Sequence, residues 1–178
     1  MNIAIVCYAT SGGSGVVATE LGMQLAKRGH KIHFISSEVP FRLIGPWKKN
    51  IYYHEVDTFD YPLFEEPPYD LALATKIYQV VSQNNIDVIH SHYAVPHSVS
   101  AYLAQQMALA NKQNVGTITT LHGTDVSIVG DEPTLRDVVA FALSKSDVVT
   151  SVSQAMASEA EDKYNLNKKV QVIYNFVN

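Results

Sequence analysis

The sequence has little charge and almost no cysteine. Lys, Arg, Asp and Glu together make up 17% of the 178 residues, against roughly 25% in an ordinary soluble domain. The low charged fraction favours strands that are covered on both faces, because such strands need few solvated positions. The single cysteine, Cys7, excludes an intrachain disulfide and fits a reducing compartment. Because it ends an apolar run, we predict that Cys7 is a buried side chain.

Other missing features exclude whole classes of function. The net charge of −4 argues against nucleic-acid binding, which favours a clustered basic face. No apolar run approaches the roughly 20 residues that a membrane span needs. The first residues have neither the basic region nor the small-residue cleavage pattern of a secretory signal. We therefore expect a cytoplasmic protein that binds neither nucleic acid nor membrane.

Strand-like and helix-like segments alternate along the chain. Apolar runs predict seven strands, at 2–7, 31–36, 51–56, 88–90, 115–120, 148–151 and 170–173. Alternating βα units predict an α/β fold, in which one doubly wound, Rossmann-like parallel sheet is connected by right-handed crossovers. In such sheets the ligand lies outside the carboxyl ends of the strands. The loops that follow the strands are therefore the candidate site.

Helical spacing of apolar residues predicts the intervening helices. They are expected over 15–28 and about 69–84, after Pro96, after Pro133 and from Gln154. Two of them carry apolar stripes of the kind that normally faces a core. The stripes are Val17, Leu21 and Leu25 in the first helix and Val99, Leu103 and Met107 in the helix after Pro96.

A glycine-rich loop, residues 11–15, follows the first strand and opens the first helix. Glycines let the backbone approach a ligand, and a helix start offers free N–H groups to phosphate or carboxylate. A Walker A interpretation fails because no Gly-Lys-Ser/Thr follows. Two alternatives stay open. One is a turn without a ligand, and the other is a dinucleotide site, since Gly13, Gly15 and Ala18 match G-x-G-x-x-A and Glu38 could bind a ribose.

Two further strands are followed by single candidate residues. Arg42 is the only cation in its loop until Lys48, and its guanidinium suits a carboxylate. An ordinary surface arginine is the alternative. His122, followed by Gly123, is placed to hydrogen-bond a sugar or a leaving group. No nucleophile elbow is present, so Ser-His-Asp hydrolysis has no support.

Residues 90–97 concentrate three histidines and one tyrosine around a strand end. Metal binding needs converging ligands, and no cysteine or carboxylate in this run supports the histidines. We therefore predict no metal site. His90 is expected to be a core residue, and His92 and Tyr93 are expected to reach the cleft.

Taken together and in order, these loops resemble the retaining glycosyltransferases of family four, which have two Rossmann-like domains (the GT-B architecture). The matching stretches span nearly the whole chain, at 12–15 with 19–22, 29–30 with 32–35, 40–43, 67–71, 92–97, 119–125 and 173–176. The glycine loop and His-Gly are shared across the wider family. The runs at 40–43, 92–97 and 121–125 resemble the members that use malate as acceptor.

The resemblance implies retaining transfer of N-acetylglucosamine from UDP-N-acetylglucosamine to the hydroxyl of L-malate, the first step of bacillithiol biosynthesis. It implies no cofactor and no metal, and it allows a homodimer of the full-length enzyme. Residues 1–173 would form the N-terminal acceptor-binding domain and 174–178 the start of an interdomain linker. The donor-binding C-terminal domain would then be absent from this chain, which is expected to be inactive alone.

The resemblance also implies roles for individual residues. His122 would be a catalytic residue that hydrogen-bonds the sugar without acting as a general base. Acceptor binding would fall to Ser14, Arg42, Tyr93 and Thr120, and the phosphate of the donor to Gly12 and Gly13. Two alternative functions stay open: a family-four enzyme with another small acceptor, such as an inositol phosphate, or a non-catalytic module that binds a small ligand.

Overall fold

The computed structural model describes residues 1–43 and 49–176. Within these ranges, seven short segments pair side by side in one parallel sheet. They are β1 (Asn2–Val6), β2 (Lys31–Ser36), β3 (Ile51–Glu55), β4 (Val88–His92), β5 (Gly116–Leu121), β6 (Val148–Ser151) and β7 (Gln171–Val172). Residues 44–48, at the end of the loop that carries Arg42, and 177–178, the end of the predicted linker, lie outside the described residues.

The strand order is β3-β2-β1-β4-β5-β6-β7. The chain therefore winds one way from β1 to β3 and the other way from β4 to β7. This arrangement confirms the predicted doubly wound α/β fold, and it creates a switch point between β1 and β4. The carboxyl ends of these two strands are where such sheets bind ligands.

Helices connect the strands as the apolar spacing predicted. They are α1 (Gly13–Lys27), α2 (Tyr69–Asn84), α3 (Val99–Ala110), α4 (Thr124–Ser127), α5 (Pro133–Lys145) and α6 (Gln154–Lys163). The single turn α4 was not predicted. Helices α2 and α3 share one apolar cluster with β1 and β4, whereas α1 packs with β1 and β2 in a separate cluster.

The packing faces of α1 and α3 differ from the predicted stripes. The buried residues of α1 are the small ones, Gly15, Ala18, Thr19, Gly22 and Ala26. In α3 the buried face is Ser100, Ala101, Ala104, Gln105 and Ala108, while Leu103 is 40% exposed. Small residues thus form the buried faces of both helices, and of the stripe residues Leu25 packs against the cluster that α1 shares with β1 and β2. Small side chains let a helix approach the sheet closely, and a Cβ added at Gly22 would overlap the Phe34 ring.

The sheet face on which α1 packs stays open beside that helix. A groove of about 350 Å³ runs there, bounded by Val17 and Leu21 of α1, by Ile118 and Val148 of the sheet, and by residues 173–176. Two of the predicted stripe residues thus line this groove. On the described part of the chain, no helix is long and apolar enough to cross a bilayer.

Cys7 confirms its prediction as a core residue. Its side chain is fully buried, and burial raises the pKa of the thiol to about 12. At neutral pH the group is therefore a protonated, inert hydrophobe.

Candidate functional site

The glycine loop folds back against the start of α1. A Cβ added at Gly15 would lie 2.6 Å from the carbonyl oxygen of Tyr8 and 2.8 Å from that of Thr10. Gly15 is therefore needed for packing. Gly12 and Gly13 have nothing within 4 Å of the same position, and Gly13 adopts a φ of 56°. These two glycines are the ones that leave room for a ligand.

The first turn of α1 is suited to an anion. Ser14 lies in this turn, and the turn contains no acidic residue. Among the described residues, no side chain caps the first N–H groups of the helix. Free N–H groups and the positive end of the helix dipole favour a phosphate or carboxylate at this point.

Arg42 lies in a short 3₁₀ turn, Phe41–Leu43, after β2. Its guanidinium is 3.6 Å from a carboxylate oxygen of Glu20 in α1, and its side chain is 53% exposed. Solvated ion pairs of this kind contribute about 0–1 kcal/mol. The ion pair with Glu20 therefore orients Arg42 only weakly. The guanidinium can exchange this partner for an anionic ligand.

Tyr93 follows β4 in a backbone conformation that is unusual for its residue type. Its φ of 94° lies in the left-handed region, where a non-glycine residue costs about 1–3 kcal/mol. The phenol oxygen is 2.5 Å from the hydroxyl of Thr124, so the loops after β4 and β5 are joined. Such strain concentrates at functional sites, which supports a ligand-binding role for this loop.

A surface groove of about 520 Å³ opens between the loops after β1 and β4. Its lining includes Tyr8, Thr10, Tyr93 and Pro96. The rings of Tyr8 and Tyr93 meet edge to face at 5.5 Å, and the Tyr8 hydroxyl donates to the carbonyl of Val95 at 3.1 Å. Tyr8 was missed by the sequence analysis, although it is the first aromatic residue after the β1 strand.

The side chain of Asp125 stabilises the loop that carries His122. The Asp125 carboxylate is fully buried and accepts the backbone N–H of His122 at 3.0 Å and that of Gly123 at 2.8 Å. Burial raises the pKa of this carboxyl group, and the bonds from the two N–H groups oppose that shift. Asp125 was also missed as a site residue. The sequence did contain a signal for it. An Asp lies three positions after His122, and the short Asp side chain commonly accepts hydrogen bonds from the N–H groups of a turn.

Four histidines, which we call the histidine cluster, lie beneath this edge of the sheet. They are His90, His92, His97 and His122. Nδ1 of His92 is 3.0 Å from Nε2 of His122, and Nδ1 of His97 donates to the carbonyl of His92 at 2.7 Å. Burial lowers the pKa of His90, His97 and His122 to about 4 and that of His92 well below its usual range. All four are therefore neutral at pH 7.

Thr120 lies within the sheet, directly below the His122 loop. Its hydroxyl is 2.7 Å from Nε2 of His90 and 2.7 Å from the hydroxyl of Thr150, and the residue is 8% exposed. The structure thus gives this hydroxyl two protein partners. His90, expected in the core, is tied to the sheet by the same bond. In the described part of the chain, no three His, Cys, Asp or Glu side chains are arranged to hold a metal ion.

Apart from Thr120, which lies within β5, the predicted site residues follow strands at one edge of the sheet, but they do not form one compact group. Tyr93 and His122 lie in adjoining loops after β4 and β5, joined by the Tyr93–Thr124 contact. Gly12, Gly13 and Ser14 follow the neighbouring strand β1. Arg42 follows β2, and among the described residues its ion pair is with Glu20 of α1.

The sequence has curated relatives among glycosyltransferases. The N-acetyl-alpha-D-glucosaminyl L-malate synthase of Bacillus anthracis is 49% identical over 177 residues, which are 99% of this chain and 45% of that protein. An uncharacterized glycosyltransferase of Methanocaldococcus jannaschii is 34% identical over 99 residues, 56% of this chain and 26% of that protein. The chain thus spans less than half the length of either relative.

Solved structures share the fold at low sequence identity. HepE from Anabaena, in complex with UDP and glucose, superposes with a TM-score of 0.73 at 16% identity, covering 100% of this chain and 45% of that one. The UDP-GlcNAc 2-epimerase of Methanocaldococcus jannaschii gives a TM-score of 0.61 at 15% identity, covering 98% and 46%. These likenesses show a shared Rossmann-like fold.

The family itself is set by the sequence. The model of the family described as "Glycosyltransferase Family 4" matches residues 11–178, a range that contains the glycine loop and the loops of Arg42, Tyr93 and His122. The chain belongs to glycosyltransferase family 4.

Proposed function

We propose that this chain is the acceptor-binding half of an enzyme that transfers N-acetylglucosamine from UDP-N-acetylglucosamine to L-malate with retention of configuration. The observation that carries the proposal is the 49% identity, over 99% of the chain, to a relative named as an N-acetyl-alpha-D-glucosaminyl L-malate synthase. Residues 1–173 would form the acceptor domain, and the linker would begin at residue 174.

The chemistry of malate fits the edge of the sheet. Malate carries two carboxylates and one hydroxyl group. One carboxylate would bind at Ser14 and the start of α1, where the free N–H groups lie. The other would bind the guanidinium of Arg42 and the hydroxyl of Tyr93. Gly12 and Gly13, which have open space above them, would accommodate a phosphate of the donor.

The reaction needs no nucleophile from the protein. The malate hydroxyl attacks the anomeric carbon on the face from which UDP departs, so the new C–O bond replaces the bond to phosphate on the same side. The leaving phosphate takes the proton of the hydroxyl. His122 donates a hydrogen bond to the transferred sugar. Catalysis then rests on positioning and on stabilising the charge of the leaving group.

Arg42→Ala in the full-length enzyme tests this assignment. Loss of a charge-assisted partner for a partly buried carboxylate costs about 2–4 kcal/mol. At about 1.4 kcal/mol per tenfold, the KM for malate should rise about thirtyfold or more, with the KM for the UDP-sugar nearly unchanged. Arg42→Lys should recover part of the loss, because an ammonium cannot make the two-pronged contact.

Arg28→Ala is the matched control. Arg28 is an exposed arginine at the C-terminal end of α1, away from the glycine loop at the start of that helix. This substitution should leave both KM values unchanged. If Arg42→Ala weakens the UDP-sugar and spares malate, Arg42 belongs to the donor side and the proposed acceptor site is wrong.

A further inference from the structure

His92 and His122 form a direct imidazole–imidazole hydrogen bond. His92 ends β4 and His122 follows β5, and these two strands are neighbours in the sheet. Nδ1 of His92 and Nε2 of His122 are 3.0 Å apart. His92 is 1% exposed, whereas His122 is half-buried at the edge of the site. The pair therefore joins a buried ring to one that a ligand can reach.

Each of these rings carries a single ring proton. Burial lowers the pKa of His122 to about 4 and that of His92 well below its usual range, so both imidazoles are neutral at pH 7. A neutral imidazole has one N–H donor and one bare nitrogen acceptor. Two arrangements satisfy the bond: His92 donates from Nδ1, or His122 donates from Nε2. In the first arrangement Nδ1 of His122 carries the proton and can donate. In the second arrangement Nδ1 of His122 is bare and can only accept.

The surroundings of His92 decide between the two arrangements. Its Nε2 is buried and has no hydrogen-bond partner among the described residues. If His122 were the donor, the proton of His92 would sit on Nε2 as a buried, unpaired N–H. Unpaired buried N–H groups are rarer than unpaired acceptors. If His92 is the donor, Nε2 is a bare nitrogen and no N–H is stranded.

His97 shows that this part of the fold accepts a bare, buried imidazole nitrogen. Nδ1 of His97 is 2.7 Å from the carbonyl of His92, and a carbonyl can only accept. Nδ1 of His97 therefore carries the proton, and its Nε2, which is buried without a partner among the described residues, is bare. With His92 as the donor, His92 has the same pattern, a protonated Nδ1 and a bare, buried Nε2.

We propose that His92 is a positioning residue that holds His122 in the Nδ1–H tautomer, so that His122 offers a hydrogen-bond donor and not a base to the ligand. Nδ1 of His122 has no hydrogen-bond partner among the described residues, which leaves it for the ligand. Given the proposed function, the ligand is the transferred sugar or an oxygen of its leaving phosphate. A donor at this point stabilises oxygen charge, whereas a bare nitrogen would repel it.

The tautomer can be read without any substrate. The intact protein is labelled with ¹⁵N at histidine only, and long-range ¹H–¹⁵N correlation spectra at pH 7 distinguish protonated from bare ring nitrogens. The His122 signals are identified by their loss in His122→Gln. We expect a protonated Nδ1 and a bare Nε2 for His122. A protonated Nε2 on His122 in the unsubstituted protein would overturn the proposal.

Two substitutions of His92 connect the tautomer to catalysis. His92→Asn places an amide N–H close to the position of Nδ1 and preserves the donor, whereas His92→Leu removes it at similar volume. In the full-length enzyme, His92→Leu should lower kcat by about 10–100-fold with the KM for malate within about twofold, since loss of a partner that orients a functional histidine has effects of this size. His92→Asn should stay within about fivefold of the unsubstituted enzyme. If the Leu variant keeps full kcat, or if Asn and Leu are equally impaired, His92 does not act through this bond.

The two experiments separate this inference from the proposed function. An Nδ1–H signal in a protein that does not use malate would contradict the proposed acceptor and support the tautomer. Transfer to malate by a protein whose His122 is protonated on Nε2 would support the proposed acceptor and contradict the tautomer.

Discussion

Asp125 lies beneath the loop that presents His122, and Asp125→Asn tests how strongly the loop depends on it. The carboxylate is fully buried, and one of its oxygens accepts two backbone N–H groups, from His122 at 3.0 Å and Gly123 at 2.8 Å. Its other oxygen is 3.2 Å from the His122 nitrogen. Asn has the same shape but only one acceptor oxygen. If its NH₂ group takes the second position, it faces an N–H and cannot bond to it.

The expected cost follows from these contacts. A hydrogen bond to a charged group contributes about 1.5–3 kcal/mol, and Asn forfeits about one such bond. Part of the loss is offset, because the burial that raises the pKa of Asp125 also makes its charge costly. The net loss in the free energy of local opening should be about 2 kcal/mol. At about 1.4 kcal/mol per tenfold, this corresponds to roughly thirtyfold.

Amide hydrogen exchange measures this opening where it occurs. Exchange in a peptide that covers residues 119–125 should quicken about thirtyfold in Asp125→Asn. Asp131→Asn is the matched control. Its carboxylate pairs with Lys163 at 2.8 Å but is 68% exposed, so the change should cost no more than about 1 kcal/mol and leave this peptide unaffected. An exchange rate for Asp125→Asn within threefold of the unsubstituted protein would show that the Asp125 carboxylate does not stabilise this loop.

Two further outcomes are expected in unfolding experiments on the intact protein. Gly15→Ala should destabilise it by about 1–3 kcal/mol because the new Cβ meets the Tyr8 carbonyl oxygen at 2.6 Å, whereas Gly12→Ala, with open space, should change stability by less than about 0.5 kcal/mol; equal denaturation midpoints would contradict this. The histidine cluster should make the protein sensitive to acid. Burial lowers the folded-state pKa of His90, His97 and His122 to about 4 and that of His92 well below the ordinary value of about 6.5, so the stabilisation is complete above pH 6.5 and declines as pH falls towards 4. Between pH 7.5 and 5.5 the free energy of unfolding should fall by up to about 1.4 kcal/mol per histidine, and a flat profile in urea titrations would show that these residues are not neutral and buried.

The strands were readable from the sequence because strands covered on both faces are nearly continuous apolar runs, and their alternation with helices indicated a doubly wound fold class, although not the strand order. The limits of all seven strands agree with the prediction within two residues. The packing faces of α1 and α3 were not readable in the same way. Periodicity weights large apolar residues, whereas these helices pack through Gly, Ala, Ser and Thr, which carry little hydrophobic signal.

The candidate site was also predictable only in part. Loops after strands could be assigned to one edge of the sheet, because parallel strands share that edge. Contacts between loops could not be predicted. The Tyr93–Thr124 contact joins residues 31 positions apart, and the His92–His122 bond joins residues 30 positions apart. Both depend on the register of β4 against β5, and strands that are covered on both faces lack the apolar alternation from which a register could be inferred.

The position of β1 between β2 and β4 also constrains how the chain acquires its structure during synthesis. Ile3 pairs with Ile32 on one side and with Val88 on the other. At about 5–20 residues per second, the ribosome needs on the order of 4–17 s to make the 85 residues from Ala4 to Val88. For that interval one edge of an apolar strand has no partner, and such edges are prone to pairing with other chains. Until β4 has been made, β1 is therefore an inner strand of the final sheet that still presents an unpaired edge to other chains.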